Sequence, residues 1–293
     1  MTGFATALLA VAIYAAYPVA TRSALGSNVP PDVLLYLRYV VGAALFLPFL
    51  ASRARHLPSA AWREGLWLAL FQGIAMGTLV VAGLQYAPAS HAAALGPGAS
   101  PAWVVLLGFV AYQRVPCARH VSGAALVLVG IAILLAAGST LSRATLAGDA
   151  LFLGASALGA AYVLRLRESR LDPVTGATLV AIYSAAAALP WFLATGTASA
   201  ALALPPSTFL WHFAWQGVLV GFVALLALNH AVSRLGGEAT TSLFALVPVL
   251  TTILGRAVLG EVPSLAEALA VAVVSAGVAL GAQPARTIAV ARA

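Results

Sequence analysis

Residues 71–77 read Phe-Gln-Gly-Ile-Ala-Met-Gly, and residues 215–221 read Trp-Gln-Gly-Val-Leu-Val-Gly. An aromatic residue, a glutamine and two glycines four apart recur in the same order about 145 positions later. The likeness spreads outward from there. Ala16-Tyr17 falls on Ala161-Tyr162, Pro48-Phe49 on Pro190-Trp191, Pro101 on Pro248, Val115-Pro116 on Val262-Pro263 and Gly130 on Gly277. The connecting stretches show no such likeness, and where one copy carries arginines the other has few. That pattern predicts one bundle built twice, the second copy set upside down.

Composition places the bundle in a membrane. The 293 residues are 62% hydrophobic and 8% charged, with a mean hydropathy of +1.00, whereas soluble domains run near about 25% charged. The apolar residues come in blocks long enough to cross a bilayer core, roughly 2–22, 32–51, 65–86, 89–112, 120–138, 147–166, 173–194, 209–231, 238–259 and 265–283. The expected architecture is an all-α membrane protein of ten transmembrane helices in two five-helix repeats of inverted topology. The repeats span residues 1–140 and 145–284, followed by a tail at 285–293. The first block is long and lacks a basic leader, so it reads as a membrane helix and not as a cleavable signal peptide.

The net charge of +7 would suggest nucleic acid in a soluble chain. Here the basic residues flank membrane segments and fix orientation, and no nucleic-acid partner is expected. All the basic residues are arginine, so there is no lysine for a Walker-type phosphate loop or for Schiff-base chemistry. Cys117 stands alone and can form neither an internal disulfide nor a cysteine metal site. One set of loops and the tail hold Arg53, Arg55, Arg63, Arg114, Arg119, Arg165, Arg167, Arg170, Arg234, Arg286 and Arg292. The opposite side holds Arg22, Arg143 and Arg256. The positive-inside rule then puts both termini in the cytoplasm. Five segments per repeat is odd, so the second repeat enters the membrane in the opposite sense, and Arg114 falls on Glu261. Inverted repeats of this kind typify secondary transporters.

The acids Asp32, Glu64, Asp149, Asp172, Glu238 and Glu267 read as helix-start residues that complement the helix dipole. Asp172-Pro173 reads as N-cap and N1, and Ser264 to Glu267 as a capping box. This reading leaves no carboxylate at mid-membrane, where ion-coupled carriers usually keep one. Facilitated export or exchange is then the simpler expectation, although His91 and His230 could move protons. The paired glycines of the third and eighth segments allow close helix approach. They suggest that these two helices meet near the pseudo-twofold axis, with ordinary bundle packing as the alternative.

Transporter sites lie at the repeat interface near interrupted helices. The fourth segment has the clearest interruption, Gly96-Pro97-Gly98-Ala99-Ser100-Pro101, followed by Trp103. Its partner has Pro248 with Thr251 and Thr252 one turn on. Gln72 and Gln216, with Trp215 beside the latter, need polar partners inside a bilayer, from a cavity or from a neighbouring helix. Tyr17 and Tyr162 occupy matched places, where an interfacial belt is the alternative. Arg38 lies about two turns into the second segment. It could snorkel to the interface, pair with a helix end, or meet a substrate carboxylate. His91 opens the fourth segment and could cap it. The candidate substrate-binding set is therefore Tyr17, Arg38, Gln72, His91, Ser100, Trp103, Tyr162, Trp215, Gln216 and Thr251. A lining of amides, hydroxyls and rings suits a neutral or zwitterionic, partly apolar small molecule. It does not suit a sugar phosphate, which calls for several basic residues.

Glu238, Pro248-Val249, Leu259-Gly260-Glu261-Val262-Pro263 and Gly277 resemble the repeat of EamA-type carriers of the drug/metabolite transporter superfamily. Pro101, Val115-Pro116 and Gly130 resemble it in the first half, where Gln113-Arg114 stands in place of the family's usual Gly-Glu. The resemblance covers essentially the whole chain. It implies a ten-helix fold and cofactor-free export of amino acids, metabolites or toxic compounds from a bacterial cytoplasm, most similar to the aromatic amino-acid exporters. Efflux of cationic drugs or other metabolites is the alternative within the class. An intramembrane serine protease finds no Gly-x-Ser-x-Gly here, and a membrane scaffold finds no soluble loops for partners.

Overall fold

The computed structural model describes residues 2–113, 115–137 and 142–281. Arg114, the tail with Arg286 and Arg292, and the side chains of Arg167 and Glu238 lie outside them. The described residues form the helices α1 (Gly3–Gly26), α2 (Pro31–His56), α3 (Ser59–Tyr86), α4 (Ala89–Tyr112), α5 (Ala118–Ala136), α6 (Arg143–Leu166), α7 (Pro173–Ala194), α8 (Pro206–Gly236), α9 (Ala239–Leu259) and α10 (Leu265–Gly281). The first nine are long and apolar enough to span a bilayer, and α10 is a shorter apolar helix of 17 residues. Large apolar side chains such as Leu47, Leu66, Phe109, Leu193 and Ile253 stand exposed, as lipid-facing positions require.

Contacts between helices repeat themselves when α1–α5 are exchanged for α6–α10. Helix α1 packs on α8 and α9, and α6 packs on α3 and α4. Helix α2 packs on α8, and α7 packs on α3, while α2–α7 and α5–α10 map onto themselves. The α5–α10 seam is built on glycine. A Cβ on Gly123 would meet Gly281, and one on Gly277 would meet Val127 and Gly123, so only bare backbone lets these helices approach.

The paired glycines do not join α3 to α8. A side chain at Gly77 would collide with the Tyr39 hydroxyl from α2, and one at Gly73 with Ser184 of α7. Gly217 accommodates Val41, and Gly221 accommodates the Arg38 carbonyl. Helix α2 therefore fills the α8 notch and shares the α3 notch with α7. The reason lies in its own backbone: residues Leu37–Val41 form a π-helical turn that bulges toward α8, where residues Phe213–Ala224 are π-helical as well. Such bulges carry no signature in hydrophobic periodicity.

Caps form where the sequence places them. Asp172 accepts from the Val174 and Thr175 N–H groups at 3.2 and 3.1 Å, with Pro173 at N1. Ser264 and Glu267 exchange the two bonds of a capping box, at 2.7 and 3.2 Å. Two acids need correction. Helix α6 begins at Arg143, capped by Ser142, so Asp149 lies nearly two turns inside it and is 3% exposed. Helix α3 begins at Ser59, and Glu64 lies within it, paired to Arg165 of α6 at 2.7 Å. Charged residues interrupt both starts, Arg63-Glu64 in α3 and Arg143 and Asp149 in α6, and an apolar-block reading trims them away. A carboxylate is thus present in the bundle interior after all.

Candidate functional site

Between the two halves lies a cavity of about 150 Å³, roughly ten times the space one water needs. Helices α1 to α4 wall one side, and α6, α8 and α9 the other. Its polar wall is centred on Arg38. The π-turn of α2 aims this side chain inward, where it is 9% exposed. Its Nη1 donates to the Tyr17 hydroxyl at 2.9 Å, and its guanidinium sits 5.0 Å from the Tyr17 ring centre and 5.4 Å from that of Tyr39. Snorkelling is therefore overturned: the side chain turns into the protein, held by a hydroxyl and two ring faces. Tyr39 is fixed in turn by donating to the Gly73 carbonyl at 2.8 Å, at the break between Ser59–Gln72 and Ile74–Tyr86, where that carbonyl also accepts from the Gly77 N–H at 3.2 Å.

The opposite wall holds Tyr162, 1% exposed, whose hydroxyl donates to Asn229 Oδ1 at 3.1 Å. Asn229 also donates to the Leu225 carbonyl of its own helix. Tyr17 and Tyr162 are thus matched buried residues on the cavity, one bonded to a cation and the other to an amide, and neither is a belt tyrosine. Helix α4 is interrupted as the Gly-Pro run predicts, between Ala89–Leu95 and Ser100–Tyr112. Its freed Gly96 carbonyl accepts from Ser156 Oγ of α6 at 2.6 Å, and Gly96, Pro97 and Ser100 line the cavity. Gln72 lines it as well, together with Tyr14, Met76 and Phe244.

Of the ten candidates, the structure brings Tyr17, Arg38, Gln72, Ser100 and Tyr162 together on this cavity. The others sit elsewhere. Gln216 is 1% exposed and donates to Thr21 Oγ1 at 3.0 Å, joining α8 to α1. Trp215 stacks on Trp211, with centroids 6.0 Å apart, beside a groove on the flank of the bundle. Trp103 packs against a core cluster that includes Leu134 and Val274. Thr251 donates to the Ala15 carbonyl at 2.8 Å, pinning α9 to α1. His91 is 3% exposed, with Nδ1 2.8 Å from Asp149 Oδ1 and Nε2 3.7 Å from Glu267 Oε1. It joins α4, α6 and α10 one residue away from cavity-lining Ala92. Tyr14, Tyr39, Ser156 and Phe244 were not among the candidates. An aromatic on a helix that is apolar all round stands out by neither spacing nor polarity.

Both ends of the bundle are clasped by charge. Arg22, near the end of α1, bonds Glu261 at 2.7 Å and the Leu84 and Ala87 carbonyls at 2.8 and 2.6 Å. Glu261 also accepts from the Ala89 N–H, so the ends of α1, α3 and α4 and the α9–α10 loop meet at one point. A vestibule of about 760 Å³ ends against this group. Arg165, near the end of α6, grips Glu64 with two bonds of 2.8 and 2.7 Å.

Comparison with known proteins agrees with this architecture. No curated protein sequence matches the chain. Among solved structures, 23 chains match. One crystal structure of a protein superposes with a TM-score of 0.64 at 20% identity, over 95% of this chain and 96% of that one, a likeness of fold alone. The family model for the EamA-like transporter family matches twice, at residues 1–136 and 146–282. With nearly all of its length matched, the chain belongs to the EamA-like transporter family, and so to the multi-pass membrane transporters of small metabolites.

Proposed function

We propose that the protein exports neutral, aromatic amino acids or similar small metabolites across the bacterial inner membrane by alternating access, without ion coupling. The observation that carries this reading is the cavity between the halves. It is walled by Tyr14, Tyr17, Tyr162 and Phe244 and edged by the amide of Gln72 and the hydroxyl of Ser100. Aromatic walls with a few convergent polar groups suit a small zwitterion with an aromatic side chain. Eleven arginines on one side against three on the other support cytoplasmic termini.

The facilitative part of the reading rests on where the interior carboxylate points. Asp149 faces His91 and not the cavity, so no described acid is in place to exchange a proton for the substrate directly. Counterflow in liposomes, using a panel of labelled amino acids, tests the substrate class. Phenylalanine, tyrosine and tryptophan should exchange, and Gln72→Ala should slow them at least fivefold. Transport of a quaternary ammonium dye with no movement of any amino acid would establish cationic drug efflux instead. A pH gradient imposed on the same liposomes should drive no accumulation above equilibrium. Uphill movement would place His91 and Asp149 in a coupling role.

A further inference from the structure

We infer that Arg38 is the carboxylate pole of the cavity and that nothing opposite it reads the substrate's ammonium group by charge. Aromatic monocarboxylates lacking that group, 2-oxo acids and arylpropionates, are then ligands of the same site. This inference rests on the substrate reading above and sharpens it.

A guanidinium stays charged under all conditions a membrane protein meets, and an unpaired charge inside a bundle is strongly disfavoured. Arg38 is nine-tenths buried on the cavity wall. Six of the acids have partners of their own, and none of those partners is Arg38. Asp149 belongs to His91, Glu64 to Arg165 and Glu261 to Arg22. Asp172 and Glu267 cap helices, and Asp32 accepts from Thr197. Tyr17 and Tyr39 stabilise the cation without neutralising it. A void of about 20 Å³ beside Arg38, bordered by Tyr14, Tyr39, Gln72 and Ser184, has room for a water, which adds a hydrogen bond and no charge.

The fork of N–H donors matches a carboxylate bidentately, and the neighbouring phenols offer rings to an aromatic substituent. A single arginine serves a monoanion and falls short of a phosphate. The matched position in α7, taken at the Pro48 to Pro190 offset, is the apolar Val180, so the second half provides no second cation. It provides no described acid on the cavity either. An ammonium group there meets only neutral acceptors such as Gln72 and Ser100.

The test is competition against labelled phenylalanine counterflow in liposomes. Phenylpyruvate and 3-phenylpropionate should compete within about threefold of phenylalanine. Phenylalaninamide and phenethylamine, which keep the ammonium and lack the carboxylate, should be at least tenfold weaker. Arg38→Gln should erase the preference for acid over amide, and Arg38→Lys, which keeps the charge without the fork, should retain part of it. Equal competition by phenethylamine in the wild type, or an acid preference that survives Arg38→Gln, overturns the inference while leaving aromatic export standing. If Arg38→Gln does not fold, the wild-type pattern decides alone. If no aromatic amino acid moves at all, the export reading fails. Equilibrium dialysis of labelled 3-phenylpropionate against detergent-solubilised protein then decides the inference: binding that Arg38→Gln loses supports it, and no binding overturns it.

Discussion

Tyr39 shows how much of the site depends on what a neighbouring residue lacks. Its hydroxyl reaches the Gly73 carbonyl because Gly77 has no side chain in the way. Its ring then flanks the Arg38 guanidinium. Gly77→Ala inserts a methyl group where the hydroxyl lies, so either Tyr39 or α3 must shift. Overpacking of this kind costs about 1–3 kcal/mol. Gly108 in α4 has open space around its Cα hydrogens, and Gly108→Ala removes a flexible residue from a helix interior at no steric cost. Thermal unfolding in detergent should therefore show Gly77→Ala melting well below the wild type and Gly108→Ala at or slightly above it. Equal effects of the two changes would refute the packing argument. The glycine spacing was legible in the sequence, but its recipient was not. A small-residue notch says that something fits closely without saying which helix fits.

At the scale of the element, the helices were legible because a bilayer imposes one length and one polarity on every span. Their ends and interruptions were less so. The Gly-Pro run of α4 announced its break, since proline removes backbone donors wherever it stands. The π-turn that aims Arg38 inward left no trace in composition, and the true starts of α3 and α6 were hidden by the charged residues that follow them. Caps read directly from sequence supply a clear test. Asp172 caps α7, outside the membrane span. Partial burial opposes its ionisation, but bonds from Thr175 and Val174 and the nearby Arg53 charge hold its carboxyl below the usual carboxylate range. A depressed folded value means that the stabilisation is fully present above the unfolded value of about 3.9. It is lost as pH falls through the folded one. Asp172→Ala should cost about 1 kcal/mol at neutral pH. The gap in melting temperature from the wild type should shrink as pH drops below about 4. A gap that stays constant with pH would mean that the carboxylate's charge plays no part.

Across the whole molecule, the two charged clasps are arranged as a switch requires. Arg22 in the first half binds Glu261 in the second, and Arg165 in the second half binds Glu64 in the first. Each pair therefore crosses between the halves. The two arginines end the first helix of their repeats, five spans apart, so the pairs lie at opposite faces. In the alternating-access cycle proposed above, rocking one half against the other opens one face and closes the other, and each state would break one clasp while keeping its counterpart. Removing one carboxylate's charge should bias the population toward opening on that side. Glu261→Gln should expose the cavity from the face that carries the α3–α4 and α9–α10 loops, and Glu64→Gln should expose it from the opposite face. Ser100 lines the cavity, so Ser100→Cys in a Cys117→Ser background reports access to a membrane-impermeant thiol reagent added to either side of oriented vesicles. The expected result is a reciprocal pattern, with each substitution raising labelling from its own face and lowering it from the other. Labelling that rises from both faces in either variant would mean a loosened bundle, and labelling that changes from neither would mean that the clasps are ordinary surface pairs. Only the reciprocal pattern connects the inverted halves to a transport cycle.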